Sequence, residues 1–276
     1  MTTPTPPQEP VPPPPPGPSP EELAAAAAAY IGLIQPWLDA IRTAIFPQPG
    51  IIDPVGALSA SAAWTAAMAR WFTGWVTPVL ITQFTAVNGP RGEVLFHQSP
   101  YMIQYARQVQ NLLSRVPDEV YRRIRDIVTE AAASGTPVPD TAELINQELL
   151  DAGADMWTNR ATVIARTELR RAQEGGQFDS YLHWSTANGV ELIKQWIDSD
   201  DARVRPAHVD TDGQRRRLTE PFAVGTTTGP KYPAMYPLDP ILPPSMSIQC
   251  RCTMLIEEAG ERMTDPSNRG FRGSRR

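Results

Sequence analysis

Cysteine and histidine are scarce in this chain, which has 2 Cys and 3 His among 276 residues. Two cysteines cannot build the disulfide framework that stabilises small secreted domains. The amino terminus also lacks the basic and apolar regions of a signal peptide. We therefore expect the protein to be made in the reducing environment of a cytoplasm.

An excess of positive charge is absent as well. The chain has 25 Lys+Arg against 30 Asp+Glu, a formal net charge of -5, so its overall charge gives no argument for nucleic-acid binding. Arginines nevertheless cluster in two places, which are either solvated basic segments or contacts for DNA phosphates. The candidate nucleic-acid-binding residues are Arg215, Arg216 and Arg217 in one cluster and Arg272, Arg275 and Arg276 in the other.

Long unbroken hydrophobic runs are also missing. Two Ala/Trp-rich stretches, 23–38 and 55–81, resemble membrane spans in composition. The first is short and contains Pro36, and the second contains Arg70 and Pro78. Neither supplies the ~20 strongly apolar residues that a span needs. We therefore predict packed helices and no membrane partner.

Proline, by contrast, is abundant, with 30 residues, and it is concentrated at the amino terminus. Residues 1–18 offer too little apolar surface to offset the entropy of ordering them, which predicts a disordered or polyproline II arm. The sequence Ser19-Pro20-Glu21-Glu22 then predicts a helix start, with Ser19 as N-cap and a glutamate three residues later.

Helical periodicity dominates the chain from residue 19 to residue 153. An aromatic stripe within it most simply predicts a core face; its members are Trp64, Met68, Trp71, Phe72 and Trp75. A further helix is predicted from about 157 to 181, weakened by roughly 1 kcal/mol at each of two adjacent glycines. The predicted helices before it cover about 20–46 with a kink at Pro36, 53–84, 101–113, 117–133 and 140–153.

The pattern changes after Asn188-Gly189. Residues 190–197 alternate as a strand does, and short strands are predicted at 246–248 and 253–256 around the cysteines. The segment between them is rich in Pro, Gly and Thr. The predicted fold class is α+β, in which a mainly helical region of two thirds of the chain precedes a small, loop-rich α+β module with a short antiparallel sheet.

A set of short motifs occurs in a fixed order through this module. In chain order they are Arg166-Thr167-Glu168, Trp196, Asp201-Ala202-Arg203-Val204-Arg205, His208, Asp212-Gly213, Phe222, Pro237-Leu238-Asp239-Pro240 and Cys250-Arg251-Cys252. The ordered set resembles the C-terminal domain of the Mu F-like head morphogenesis proteins, which are minor capsid proteins of tailed bacteriophages. The resemblance covers about 157–258 and departs from the family at Gln249, where Asn is common. It implies structural roles for Trp196, Arg203, Arg205, Asp212, Gly213 and Phe222.

The two cysteines stand one residue apart, so in an extended strand their sulfurs share a face. Together with His208 and a carboxylate such as Asp201, Cys250 and Cys252 would form a tetrahedral set of ligands that suits Zn²⁺. Three alternatives stay open: a bound zinc ion, a reduced structural cluster, and a strained disulfide.

The resemblance implies a minor head protein that acts in head morphogenesis and is bound to the portal vertex inside the capsid of the virion. The implied partners are the phage portal protein, a capsid or scaffolding protein, and packaged DNA. We expect four parts: an arm (1–18), a helical docking region (19–153), the Mu F-like module (154–258) and a flexible Arg-rich tail (259–276).

Catalysis is not expected, because His208 has no second histidine nearby in the sequence to share acid–base work. The alternative function is a metal-dependent nuclease or a head maturation protease. A protease would need a Ser/His/Asp or Ser/Lys set, which the helical region does not display.

Overall fold

The computed structural model describes residues 10–48, 51–53, 56, 61–114, 116–151 and 157–259. Long helices form the first part of the chain and short strands the second, which confirms the predicted α+β class. The helices are α1 (Pro20–Ile45), α2 (Ser61–Trp71), α3 (Thr77–Asn88), α4 (Gly92–Gln98), α5 (Pro100–Ser114), α6 (Val116–Ser134), α7 (Val138–Asp151), α8 (Trp157–Asn188), α9 (Pro206–Val209) and α10 (Pro244–Ser247). The strands are β1 (Leu192–Ile197), β2 (Arg215–Arg217), β3 (Phe222–Val224), β4 (Tyr232–Ala234) and β5 (Thr253–Glu258).

Helix α8 is the central element of the helical region, and α1 and α3 lie along it. The predicted aromatic stripe faces this core. Trp64 donates its indole N–H to the Leu113 carbonyl at 3.0 Å, and Trp71 donates to the Ala26 carbonyl at 2.9 Å. Tyr30 of α1 packs edge-on against both indoles. Because the polar atoms of both Trp64 and Trp71 are satisfied, these large rings can be fully buried.

Helix α1 begins where the sequence predicts. The Ser19 hydroxyl accepts from the Glu22 amide at 3.1 Å, and the Glu22 carboxylate accepts from the Ser19 amide at 2.7 Å. By length and composition α1 is apolar enough to cross a membrane, and it is the one such helix in the described part of the chain. One of its faces, which includes Tyr30 and Trp37, packs in the helical core.

The predicted helix over 53–84 is interrupted in the structure. Helix α2 begins at Ser61, and a π-helical turn, Phe72–Val76, joins it to α3. Pro78 explains the turn, because it lacks the amide N–H that would continue the α-helical hydrogen bonds. The Thr77 amide donates to the Phe72 carbonyl, five residues back.

The structure describes the amino-terminal arm from residue 10 onward. Residues 10–18 have no regular secondary structure, but they contact the body of the protein. Val11 packs against the core of the C-terminal module, the Pro12 carbonyl accepts from the Tyr181 hydroxyl, and Gly17 approaches Gln173. Prolines lose little entropy on ordering, so a few contacts are enough to hold them. Residues 1–9 lie outside the described residues.

Helix α8 is longer than predicted and passes through its two glycines without a break. An added Cβ on Gly175 would meet the Tyr236 hydroxyl at 3.1 Å, and one on Gly176 would meet the Gln83 Cβ at 3.0 Å. The two glycines therefore let neighbouring elements approach α8 closely.

The C-terminal module contains two antiparallel sheets. The first has the strand order β2-β1-β5, with Trp196 opposite Met254, and the second pairs β3 with β4, with Phe222 opposite Ala234. The predicted strands at 190–197 and 253–256 correspond to β1 and β5. The predicted strand at 246–248 is wrong: α10 ends there, because Pro243 and Pro244 start a helical turn.

Candidate functional site

His208 is held inside the module by a short helix. Pro206 occupies the first turn of α9, and the His208 amide donates to the Arg205 carbonyl at 2.8 Å. The His208 ring is 1% exposed and lies edge-on to the Trp196 indole, with 5.5 Å between ring centroids. This packing places its Nδ1 atom beside the cysteines.

Cys250 and Cys252 are both buried and both free thiols. Their Sγ atoms lie 3.5 Å and 3.3 Å from the His208 Nδ1 atom. The ligand atoms of these three residues all lie within 4.8 Å of one another. The structure therefore brings together three of the four residues that the sequence singled out as metal ligands, and it shows no disulfide between the two cysteines.

Asp201, the fourth candidate metal ligand, lies outside this group. Arg251 binds its carboxylate through both terminal nitrogens, one of them at 2.6 Å, and the Arg203 amide donates to it at 2.8 Å. Arg251 holds the pKa of Asp201 well below its usual range. Arg251 lies between the two cysteines, so in extended chain its side chain points away from their sulfurs and takes Asp201 with it.

The two thiols share one site and therefore titrate unequally. Hydrogen bonds from Cys252 and then His208 lower the pKa of Cys250 to about 5. The pKa of Cys252 is raised, because its proton is held by the neighbouring sulfur and its surroundings are buried. One thiol of the pair therefore loses its proton well before the other.

Glu174 and Lys194 are two buried ionisable groups near the site that the sequence motifs do not include. Glu174 of α8 accepts from the Thr253 hydroxyl at 2.8 Å and from the Met254 amide at 3.1 Å, which joins α8 to β5 just after Cys252. Burial raises the pKa of Glu174 to about 8. Lys194 stands two residues before Trp196, so the alternation of side chains along β1 is the sequence signal that predicts it on the same, buried face.

Thr167 and Glu168 of the helix motif Arg166-Thr167-Glu168 make contacts inside the protein. Glu168 is buried and pairs with Arg171 of the same helix, whose Nε atom donates to the Leu238 carbonyl at 2.9 Å. The Thr167 hydroxyl accepts from the Gln249 amide at 3.1 Å. Helix α8 thereby holds both the loop around Leu238 and the turn that leads into Cys250.

The residues with implied structural roles lie around the Cys/His cluster. Phe222 packs edge-on against Trp196, and the Gly213 amide donates to the Trp196 carbonyl at 2.9 Å. Gly213 has φ 72°, a left-handed conformation that suits glycine. The remaining contacts are Asp212 to the Asp198 amide at 2.8 Å, Arg205 to the Ile248 carbonyl at 2.5 Å, and Arg203 to Asp201 at 3.8 Å.

The first arginine cluster forms β2 and is partly neutralised. Arg215 pairs with Glu257 at 3.0 Å, and Arg217 pairs with Glu191 at 3.1 Å. Arg216 donates to the carbonyl of Arg215 at 2.7 Å. Contact between these residues and DNA phosphates stays a prediction. Arg272, Arg275 and Arg276 lie outside the described residues.

Comparison with known proteins finds a family match over the part of the chain that contains this site. A family model described as Phage Mu protein F like protein matches residues 122–255, beginning within α6. The chain is also 24% identical over 149 residues to the NAD(+)--arginine ADP-ribosyltransferase EFV of Enterococcus faecalis, a match that covers 54% of this chain and 28% of that protein. No solved structure matches. Residues 122–255, with their ordered motifs from Trp196 to Cys252, therefore belong to the Phage Mu protein F like family.

Proposed function

We propose that this protein is a minor head protein of a tailed bacteriophage that acts in head morphogenesis, bound to the portal vertex inside the capsid. The family match carries the proposal, since it supports a phage head morphogenesis protein associated with the virion. The portal protein is the main partner, and contacts with capsid or scaffolding protein and with packaged DNA belong to the same proposal.

The contacts that the motif residues make inside the module support a structural role. Trp196, Asp212, Gly213 and Phe222 contact one another or the neighbouring backbone. Their contacts are of the kind that position a small, loop-rich unit, which suits a module that docks to a larger assembly. The aromatic stripe around Trp64 is buried in the helical core, so portal binding has to use other surfaces.

We further propose that the chain is not an enzyme. His208 is 1% exposed, and its Nδ1 atom faces two thiols, so a substrate cannot reach it as a general base needs. The transferase name belongs to the Enterococcus faecalis protein, of which the match covers 28%. Purified protein should show no nuclease, protease or ADP-ribosyltransferase activity with or without Mg²⁺ or Zn²⁺. An activity that His208→Asn abolishes, while His97→Asn keeps it, would contradict this.

Co-purification with the portal protein encoded by the same genome tests the main proposal. The two proteins should form a stable complex that survives size-exclusion chromatography. Failure to associate, with both proteins folded, would refute portal binding.

DNA contact is tested separately through the exposed arginines of β2. If Arg215 and Arg217 bind phosphates, the double variant Arg215→Gln/Arg217→Gln should reduce the slope of log affinity for DNA against log salt by about 2. It should leave the portal complex unchanged. An unchanged slope would assign any DNA binding to other residues.

A further inference from the structure

We propose that His208, Cys250 and Cys252 form a binding site for a thiophilic divalent cation, Zn²⁺, which cross-links the C-terminal module. The inference rests on the geometry of these residues and does not depend on the role in head morphogenesis. Zn²⁺ binds Cys sulfur at about 2.3 Å and His nitrogen at about 2.0–2.1 Å, so tetrahedral N and S ligands lie about 3.5 Å apart. The separations between the His208 Nδ1 atom and the two sulfurs are 3.5 Å and 3.3 Å.

The two nitrogen-to-sulfur separations thus match the edges of a coordination tetrahedron, and the two sulfurs lie within 4.8 Å of each other. The sulfurs of Cys250 and Cys252 reach the same point because alternate residues of extended chain share a face. His208 belongs to α9 and lies 42 residues before Cys250 in the sequence. A small movement outward around an ion would convert the cluster into a first coordination shell.

The electrostatics of the pocket also suit a zinc ion. Two thiolates neutralise the charge of Zn²⁺, so the buried site carries no net charge and avoids the cost of an unpaired ion. The carboxylate of Asp201 is not needed for neutrality, which agrees with its binding to Arg251. No other Asp, Glu, His or Cys of the described residues joins the group, so these three side chains would supply the protein ligands.

The Trp196 indole also lies beside the cluster, edge-on to the His208 ring. A thiolate ligand at Cys252 would offer the Trp196 Nε1–H group a stronger acceptor than a neutral thiol does.

The role of the ion would be to close a long loop. Between α9 and Cys250 the chain contains only the short elements β2, β3, β4 and α10. A single ion that joins His208 to both cysteines would offset the entropy of closing that loop, as structural zinc does in other small modules.

The direct test uses the reduced, full-length protein after chelation and removal of its metal. Titration with Co²⁺ alone should produce sulfur-to-cobalt charge-transfer absorption and the intense visible bands of tetrahedral cobalt, saturating at one equivalent. Zn²⁺ should then displace the Co²⁺ and abolish both signals. A folded wild-type protein with reduced thiols that develops no charge-transfer absorption would overturn the proposal, whatever the variants do.

Matched variants test which residues bind the metal. Cys250→Ser and Cys252→Ser should each lose about half of the charge-transfer intensity, and His208→Asn should weaken affinity for Co²⁺ by at least about 10-fold. His97→Asn makes the same chemical change at an exposed position of α4 and should bind as the wild type does. Asp201→Asn should also keep full binding. Loss of binding in Asp201→Asn, or equal loss in both histidine variants, would refute this ligand set.

Discussion

Lys194 is the clearest case at the residue scale of a group whose chemistry is set by burial. Its ammonium nitrogen donates to the Met235 carbonyl at 2.7 Å and lies 4.9 Å from the ring centroids of Phe178 and Phe222. Burial lowers the pKa of Lys194 from 10.5 to about 7, although the charges of Asp239 and Glu220 act in the opposite direction. The folded protein therefore releases this proton near neutral pH.

This shift predicts a pH-dependent stability. Between about pH 7 and pH 10.5 the unfolded chain holds the Lys194 proton that the folded chain has lost, so Lys194 makes the free energy of unfolding rise with pH, by at most about 1.4 kcal/mol per pH unit. In urea unfolding across this range, the slope of Lys194→Met against pH should be lower than that of the wild type by up to this amount. Lys231→Met, at an exposed lysine, should have the wild-type slope. Equal slopes in the wild type and in Lys194→Met would contradict the shift.

Gln249 also has a conformation that its residue type disfavours. Its φ is 56°, in the left-handed region that Asn and Gly enter more readily than other residues. This backbone angle explains why Asn is common at this position in the family, because Asn adopts the left-handed conformation more readily than Gln does. Gln249→Asn should raise the free energy of unfolding by up to about 1 kcal/mol in denaturant titration, whereas Gly213→Ala, at φ 72°, should lower it by about 1–2 kcal/mol. A destabilised Gln249→Asn would contradict this account.

At the scale of elements, α8 shows why helix propensity alone misjudges its glycines. Alanine is favoured over glycine in a helix by about 1 kcal/mol, but a Cβ at Gly176 would meet Gln83 at 3.0 Å and Leu80 at 3.3 Å. Both neighbours belong to α3 and are buried, so they have little freedom to move. The glycines therefore determine how closely α3 packs on α8.

Two alanine substitutions should consequently have opposite effects. Gly176→Ala should lower the free energy of unfolding by about 1–3 kcal/mol through overpacking. Gly32→Ala in α1, where an added Cβ meets nothing within 4 Å, should raise it by about 0.5–1 kcal/mol. Chemical denaturation of both variants checks this. Equal stabilisation by the two substitutions would mean that α3 can move away from α8 without cost.

At the scale of the whole molecule, the arm over residues 10–18 connects the amino terminus to the C-terminal module. Deleting residues 1–18 removes the contacts of Val11 and the hydrogen bond that Tyr181 donates to Pro12. We expect it to lower the free energy of unfolding by about 1–3 kcal/mol. Deleting residues 1–9 leaves both contacts in place and should cost less. Equal stability of the two deletion variants would show that the arm contributes nothing to folding.

Local sequence patterns by themselves determined several features of this protein. The start of α1 at Ser19, the buried aromatic face of α2 and the meeting of Cys250 and Cys252 all follow from capping and periodicity, which act over a few residues. The order of the motifs from Trp196 to Cys252 was enough to identify the family. Only the tertiary structure decided that Arg251 takes Asp201 away from the cysteines, that Glu174 is buried, and that the arm packs against α8. These outcomes depend on which distant side chains meet, and no local pattern encodes that.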